Sequence, residues 1–182
     1  TLSSSSAASD VYKRQLNIRI LEERILPDKN VWVQGYSEES IKRREAIVRK
    51  YEENKLVIEG AALIGRHTRI GDYTKISDSN IDNFCILGDY VNVERSAIMD
   101  AAKIGDYAHI SDSILGRKVV VESTCENPVY IESTSVIGNA VHIGKGCRLI
   151  RTRVNPCLTI PPSMTYIDKF LQNYEDIIQS AD

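Results

Sequence analysis

One phrase occurs three times: Ile-Gly-Asp-Tyr from Ile70, Leu-Gly-Asp-Tyr from Leu87 and Ile-Gly-Asp-Tyr from Ile104, at spacings of 87 − 70 = 17 and 104 − 87 = 17 residues. A fixed period constrains a chain more than composition can. It means one structural unit stacked on copies of itself, each burying the apolar face its neighbour leaves open. Cut at its aliphatic positions, the stretch divides into units of six, six and five: HTRIGD, YTKISD, SNIDN, FCILGD, YVNVER, SAIMD, AAKIGD, YAHISD, SILGR. The frame extends back through KLVIEG and AALIGR and forward through KVVVES, PVYIES, TSVIGN, AVHIGK, GCRLIR and TRVNP. One tetrapeptide, Thr124 to Asn127, falls outside it. The aliphatic position is filled every time, and the residue two before it is mostly small: Ala62, Thr68, Thr74, Ser79, Cys85, Ser96, Ala102, Ala108. Alternate residues of a strand face the same way, so both positions point inward and fill a narrow triangular core.

This pattern resembles the hexapeptide repeat of left-handed parallel β-helices, with three short flat sides per coil, over residues 55–160. The resemblance implies the left hand; spacing alone does not, since parallel crossovers generally favour the right. The expected fold is an all-β solenoid of about five coils, standing ~25 Å tall at ~4.8 Å per coil. Ile70, Leu87, Ile104, Val121 and Ile143 should stack in one inward column.

Ser5 to Gln15, SSAASDVYKRQ, looks like a translated sequencing adaptor, and residues 1–15 are expected to be non-native, disordered and packed on nothing. The chain lacks an initiator Met and reads as a fragment whose true N-terminus lies upstream. Removing Lys13, Arg14 and Asp10 leaves 23 − 2 = 21 basic and 25 − 1 = 24 acidic residues, net −3. That balance gives no electrostatic case for nucleic acid or an anionic membrane. No apolar run approaches the ~20 residues that span a bilayer. Cys85, Cys125, Cys147 and Cys157 show no Cys-x-x-Cys spacing. Cys85 and Cys147 fall at the small inward position, where a thiol packs as a compact hydrophobe, and a cytoplasmic location follows.

Before the solenoid, residues 16–54 read as a helical remnant and linker from an upstream catalytic domain. Leu16 to Leu26 makes a short amphipathic helix stopped by Pro27, and Val31 to Val33 a docked extended piece. Ser37 caps a second helix to about Glu53, acidic at its start and basic at its end, the order the helix dipole favours. After Pro156, Pro161 and Pro162 the strand pattern is expected to stop, leaving a C-terminal amphipathic helix within 161–182. Thr165 and Asp168 resemble its capping box, and Tyr166, Ile167, Phe170, Leu171, Tyr174, Ile177 and Ile178 recur at helical spacing.

Stacking turns positions into columns. Asp72, Asp89 and Asp106 form one at a corner, either a cation site or a solvated edge whose repulsion water screens, and Tyr73, Tyr90 and Tyr107 stand beside them. Lys75, Asn92, His109, Tyr130 and Arg148 form an outward column on the next side, either a polar face or an anion site for a nucleotide or coenzyme phosphate built on Lys75, His109 and Arg148. His142 points outward from another side, and His67 stands at a corner. Hexapeptide-repeat acyltransferases use an outward His as general base, so His142 and His109 are the candidates for that role. The histidine spacings, 109 − 67 = 42 and 142 − 109 = 33, lack the close pair a zinc site would need. No Gly-rich phosphate loop, nucleophile elbow or metal-binding pair occurs, so no catalytic site and no cofactor are assigned to this chain.

The phrases ISDSNIDNFCILGD, VERSAIMDAAKIGD and ISDSILGRKVVVES further resemble the C-terminal repeats of sugar-1-phosphate nucleotidyltransferases, over residues 16–160. Leu16 to Leu26 resembles the helix closing their catalytic domain, with Asn17 near a recurrent Asn. That resemblance implies a role in nucleotide-sugar biosynthesis. A missing N-terminal domain would hold Mg²⁺, a nucleoside triphosphate and a sugar phosphate and release pyrophosphate, while the β-helix serves homo-oligomerisation or regulation. Two other readings stand beside it, a hexapeptide-repeat acyl- or acetyltransferase and a structural assembly module.

Overall fold

The computed structural model describes residues 30–35 and 37–179. The expectations for residues 1–15 and for the helix from Leu16 to Leu26 lie outside those residues. The rest is a parallel β-solenoid of about seven turns. Its entry is a strand, β1 (Asn30–Val33), and a helix, α1 (Glu38–Glu52). Ser37 caps α1 as its sequence foretells: the hydroxyl oxygen accepts the Ser40 N–H at 3.2 Å. Ile47 of α1 is buried against the first coil, whereas Ile41 is exposed.

Three stacks of strands make the walls. Face A carries 56–59, 74–77, Asn92–Glu94, His109–Ser111, Tyr130–Glu132, Arg148–Ile150 and Thr165–Ile167. Face B carries β1, then 62–64, 79–81, Ala97–Ile98, Ile114–Leu115, Val136–Ile137, Arg153–Val154 and Phe170–Leu171. Face C carries Arg69–Ile70, Ile86–Leu87, Lys103–Ile104, Val120–Val121, His142–Ile143 and Thr159–Ile160. The predicted inward column is present, each member in register with the next: Ile70, Leu87, Ile104, Val121, Ile143 and then Ile160, all buried. The small inward residues are buried as well. Cys85 and Cys147 are among them, and burial pushes the Cys85 thiol up to about 11.

The corners need backbone that L-residues avoid. Non-glycine residues with positive φ recur at them, among them Tyr73, Tyr90 and Tyr107 at 58°, 56° and 58°. Each costs of order 1 kcal/mol, so something must hold it in place. Ladders of side chains from the coil above do so. Asp89 Oδ1 accepts the Asp72 N–H at 2.7 Å and Asp106 Oδ1 the Asp89 N–H at 2.9 Å. Asn83 accepts from Arg66 N–H and Asn139 from Arg117 N–H, both at 2.8 Å. Inside, buried hydroxyls tie the coils in the opposite sense, the coil below accepting: Ser96 N–H donates to Ser79 Oγ at 3.1 Å and Ser113 N–H to Ser96 Oγ at 3.0 Å.

Two expectations need correcting. The solenoid has about seven turns, not five, and its strands run to Leu171 rather than stopping near residue 160. The helical spacing seen from Thr165 belongs instead to the 17-residue period: Tyr166 pairs in register with Leu149 and Leu171 with Val154. Helix remains only in α2 (Tyr174–Gln179), whose Ile177 is buried and whose Ile177 carbonyl accepts the Tyr166 hydroxyl at 3.0 Å. The prolines do not break the ladder because they stand where its donors are not needed. Pro161 follows the topmost strand of face C, and Pro156 occupies a corner position where other coils only receive a side chain. Thr124 to Asn127 is the inserted loop foreseen, lying at the corner between faces C and A.

Candidate functional site

Face A places the predicted column in register: Lys75 beside Asn92, then His109, Tyr130, Arg148 and Thr165. It does not bring the three anion-site candidates together. Lys75 and Arg148 each stand two rungs from His109, ~9.6 Å at the usual strand spacing. The second outward column of the same face is acidic where the cations are. Lys75 Nζ lies 3.0 Å from Glu59 and 4.0 Å from Glu94, and Arg148 Nη2 lies 3.4 Å from Glu132. Glu59 raises the Lys75 pKa, first by accepting its hydrogen bond and then by its charge. His109 stacks on Tyr130 with ring centroids 4.9 Å apart, and the Arg148 guanidinium carbon lies 5.8 Å from the Tyr130 ring. Face A thus satisfies its own charges and presents a stacked, neutralised surface.

His142 stands on face C, away from His109, and the structure gives it a partner that sequence reasoning missed. Its Nε2 lies 3.0 Å from Glu122 Oε1, with both side chains near 40 % exposed. The signal was legible. Four of the six inward residues of face C are followed by glycine, at 71, 88, 105 and 144, the topmost by Pro161, and Glu122 replaces the glycine in the coil just below His142. A carboxylate beside Nε2 orients the imidazole, and in the tautomer that donates Nε2–H to Glu122 the free Nδ1 has the arrangement a general base requires.

The corner columns have a structural use. Asp72, Asp89 and Asp106 serve the backbone ladder, and Lys50 reaches Asp72 Oδ1 at 2.7 Å, holding that carboxyl below its ordinary range by hydrogen bond and charge. Tyr73, Tyr90 and Tyr107 stack at 4.9 and 4.7 Å, and His67 stacks on Phe84 at 4.9 Å. Among the described residues no three His, Cys, Asp or Glu side chains converge as a metal site would need, and no helix is long and apolar enough to cross a membrane.

Face B differs from both. Its outward column runs Asn80, Ala97, Ile114, Val136, Arg153, Phe170, with Met99 beside Ala97. Ile114, Val136, Met99 and Phe170 are 44, 42, 39 and 51 % exposed. Ile114 and Val136 adjoin with Met99 close by, Arg153 separates Phe170 from them, and such a cluster on one wall marks a candidate contact surface.

Comparison with known proteins gives the following. The EIF2B subunit epsilon LbH domain matches residues 45–149, more than half of the chain. Among curated proteins none matches the chain in sequence. Solved structures of similar fold include the following two. The acetyltransferase domain of PglB from Neisseria gonorrhoeae FA1090, in complex with acetyl coenzyme A, is 14 % identical over 69 % of this chain and 62 % of its own, with a TM-score of 0.30. A mutant of GDP-perosamine N-acetyl transferase from Caulobacter crescentus, in complex with CoA and GDP-perosamine, is 18 % identical over 69 % of this chain and 61 % of its own, with a TM-score of 0.35. The chain thus spans about three fifths of the length of each.

Proposed function

The chain belongs to the family of the EIF2B subunit epsilon LbH domain, a left-handed β-helix built on hexapeptide repeats, and from that premise we propose that it is an assembly module. It docks its parent polypeptide on other chains. The observation that carries this reading is the exposed wall of Met99, Ile114, Val136 and Phe170 on face B, set against a face A whose cations are paired in place. The family's named member is itself a subunit, which agrees with a docking role. The nucleotidyltransferase-like phrases support the finer reading: the parent joins a sugar 1-phosphate to a nucleoside triphosphate in a domain upstream, and the β-helix holds its copies or regulatory chains together. Native mass spectrometry of the intact polypeptide from its own cells tests this. Val136→Lys should release partner chains. An assembly that survives the substitution overturns the docking role of face B.

A second reading rests on the His142–Glu122 pair. In it His142 Nδ1 removes the proton from an acceptor amine or hydroxyl as that group attacks the thioester carbonyl of an acyl-coenzyme A. The tetrahedral intermediate then expels the coenzyme thiolate, which takes the proton back from the imidazolium. Calorimetry with acetyl-coenzyme A decides: specific binding with acyl transfer lost in His142→Ala and weakened in Glu122→Gln supports the pair as catalytic, and no binding removes it.

A further inference from the structure

Resting on the assembly reading, we propose that the chain docked on face B is a second copy of this one, antiparallel to the first about a twofold axis that runs along the strands through Ile114. Such an axis reverses the order of the rungs and preserves position along each strand. Above Trp32 of β1, which pairs with Leu63, the outward column reads Leu63, Asn80, Ala97, Ile114, Val136, Arg153, Phe170 from the first coil upward. With Ile114 on the axis it meets its own copy, Val136 meets Ala97, Arg153 meets Asn80 and Phe170 meets Leu63. The column two residues further along reads Asp82, Met99, Gly116, Gly138, Asn155. There Met99 lies over Gly138, which has no side chain to obstruct it, and Gly116 faces itself.

The charges fit as well. Arg153 and Asp82 each lack an ion-pair partner among the described residues, in contrast to the cations of face A. Asp82 stands two residues beyond Asn80, just past the end of that strand, where it accepts a hydrogen bond from the Asn80 side-chain amide at 3.3 Å and lies ~6.6 Å along, within reach of the Arg153 guanidinium of the other copy. One rung either way spoils the match. An axis at Val136 sets Arg153 on Ile114, and an axis at Ala97 sets Ile114 on Asn80. The inserted loop at Thr124 to Asn127 lies at the corner between faces C and A, the one corner that does not border face B. The wall is roughly 34 Å tall and ~10 Å wide, about 350 Å² per copy, below the ~800 Å² of a standard interface, so the dimer is reversible at micromolar concentration.

Sedimentation equilibrium of the full chain between about 1 and 200 µM tests the proposal, in the concentration range where interfaces below standard size dissociate. The expected result is a monomer–dimer equilibrium weakened tenfold or more by Ile114→Asp, with the circular dichroism spectrum unchanged. Arg153→Glu and Asp82→Arg should each weaken it, and the two together should restore it. In a Cys125→Ser, Cys157→Ser background, Ile114→Cys should cross-link to itself with a short bis-maleimide, which spans the ~10 Å between packed sheets, whereas Ser111→Cys on face A should not. A monomer throughout, a dimer indifferent to Ile114→Asp, or a charge reversal that fails to rescue overturns the twofold. If the purified chain is monomeric while Val136→Lys still releases partners from the native assembly, face B binds a different chain: the twofold fails and the assembly reading stands.

Discussion

Faces A and B are built on the same core by the same period, yet one ends in paired charges and the other in bare aliphatic side chains. On face A two outward columns run side by side, and the two cations of one lie against carboxylates of the other, Lys75 against Glu59 and Arg148 against Glu132, while Val57 and Ile167 are exposed singly at its lower and upper ends. On face B the outward column exposes Ile114 and Val136, and glycines stand beside them at 116 and 138. Inward residues fix a solenoid; outward ones fix what it touches. A repeat that constrains the inside so tightly leaves the outside free to diverge wall by wall, and that divergence is where function resides.

The largest test breaks what the two faces share. Ile104 lies in the inward column of face C, 3 % exposed, between Leu87 and Val121. Ile104→Asp would put an unpaired carboxylate in the core, at a cost of several kcal/mol against a total stability of ~5–15 kcal/mol. Loss of the folded far-UV circular dichroism signal is expected, and a folded Ile104→Asp chain would contradict the stacked core.

The next test separates the walls. Val136→Lys on face B and Ser111→Lys on face A add the same charge at outward positions of short strands. Association measured by sedimentation should weaken about tenfold for the first, ~1.4 kcal/mol, and less than about twofold for the second. Equal effects from the two would erase the distinction between the faces.

How much of this was legible depends on which way a residue points. The inward positions obey one rule in every coil, so Ile58 through Val154 could be placed from spacing alone, and the registers that put Lys75, His109, Tyr130 and Arg148 in one column followed. The top of the solenoid was misread because two periods compete there. Tyr166 and Leu171 satisfy the 17-residue frame, but with Ile167, Phe170 and Ile177 they also satisfy helical spacing, and local spacing cannot choose between them. Pairing with the coil below decides, since it satisfies backbone groups that a helix would have left open on Arg148–Ile150. The Asp72, Asp89 and Asp106 column was seen but not its use, because a carboxylate accepting a backbone N–H from the coil below is a contact between residues 17 apart at a turn. Glu122 is marked in the sequence only by a break in a glycine column, and its contact with His142 joins residues 20 apart that no local spacing connects. The exposed apolar wall is written in outward positions that do not recur from coil to coil, so the period that places the core leaves them unmarked.

The corners that separate the walls supply a smaller effect. Asp89→Ala removes the acceptor for the Asp72 N–H and leaves Tyr73 in left-handed backbone without that restraint, while the Asp89 N–H keeps its own acceptor on Asp106. A loss of about 1 kcal/mol is expected, read as a lower urea midpoint, with association through face B unchanged. A change in association would mean that this corner, between faces C and A, takes part in docking after all.

The smallest effect lies at the corner that faces A and B share. There Arg95 Nε meets Asp112 Oδ1 at 2.6 Å, and Arg151 Nε meets Asp168 Oδ1 at 2.5 Å. Each arginine holds its aspartate below the ordinary carboxylate range, first through the hydrogen bond and then through its charge, while desolvation opposes. A carboxyl whose folded-state pKa is depressed contributes stability that is fully present above the unfolded value of ~3.9 and lost as pH falls through the lower folded value. Solvent reaches both pairs, so the contribution at neutral pH is small and salt reduces it further. Titration followed by NMR should therefore show Asp112 moving up toward ~3.9 in Arg95→Ala, with Asp168 unmoved, while thermal stability at neutral pH stays within error of the parent. Because this corner borders face B, the same substitution also asks whether that wall needs its charged rim. Unchanged dimerisation in Arg95→Ala would confine the interface to the apolar column and the Arg153–Asp82 contact. Weakened dimerisation with unchanged stability would extend the interface to the rim and enlarge the area the two copies bury.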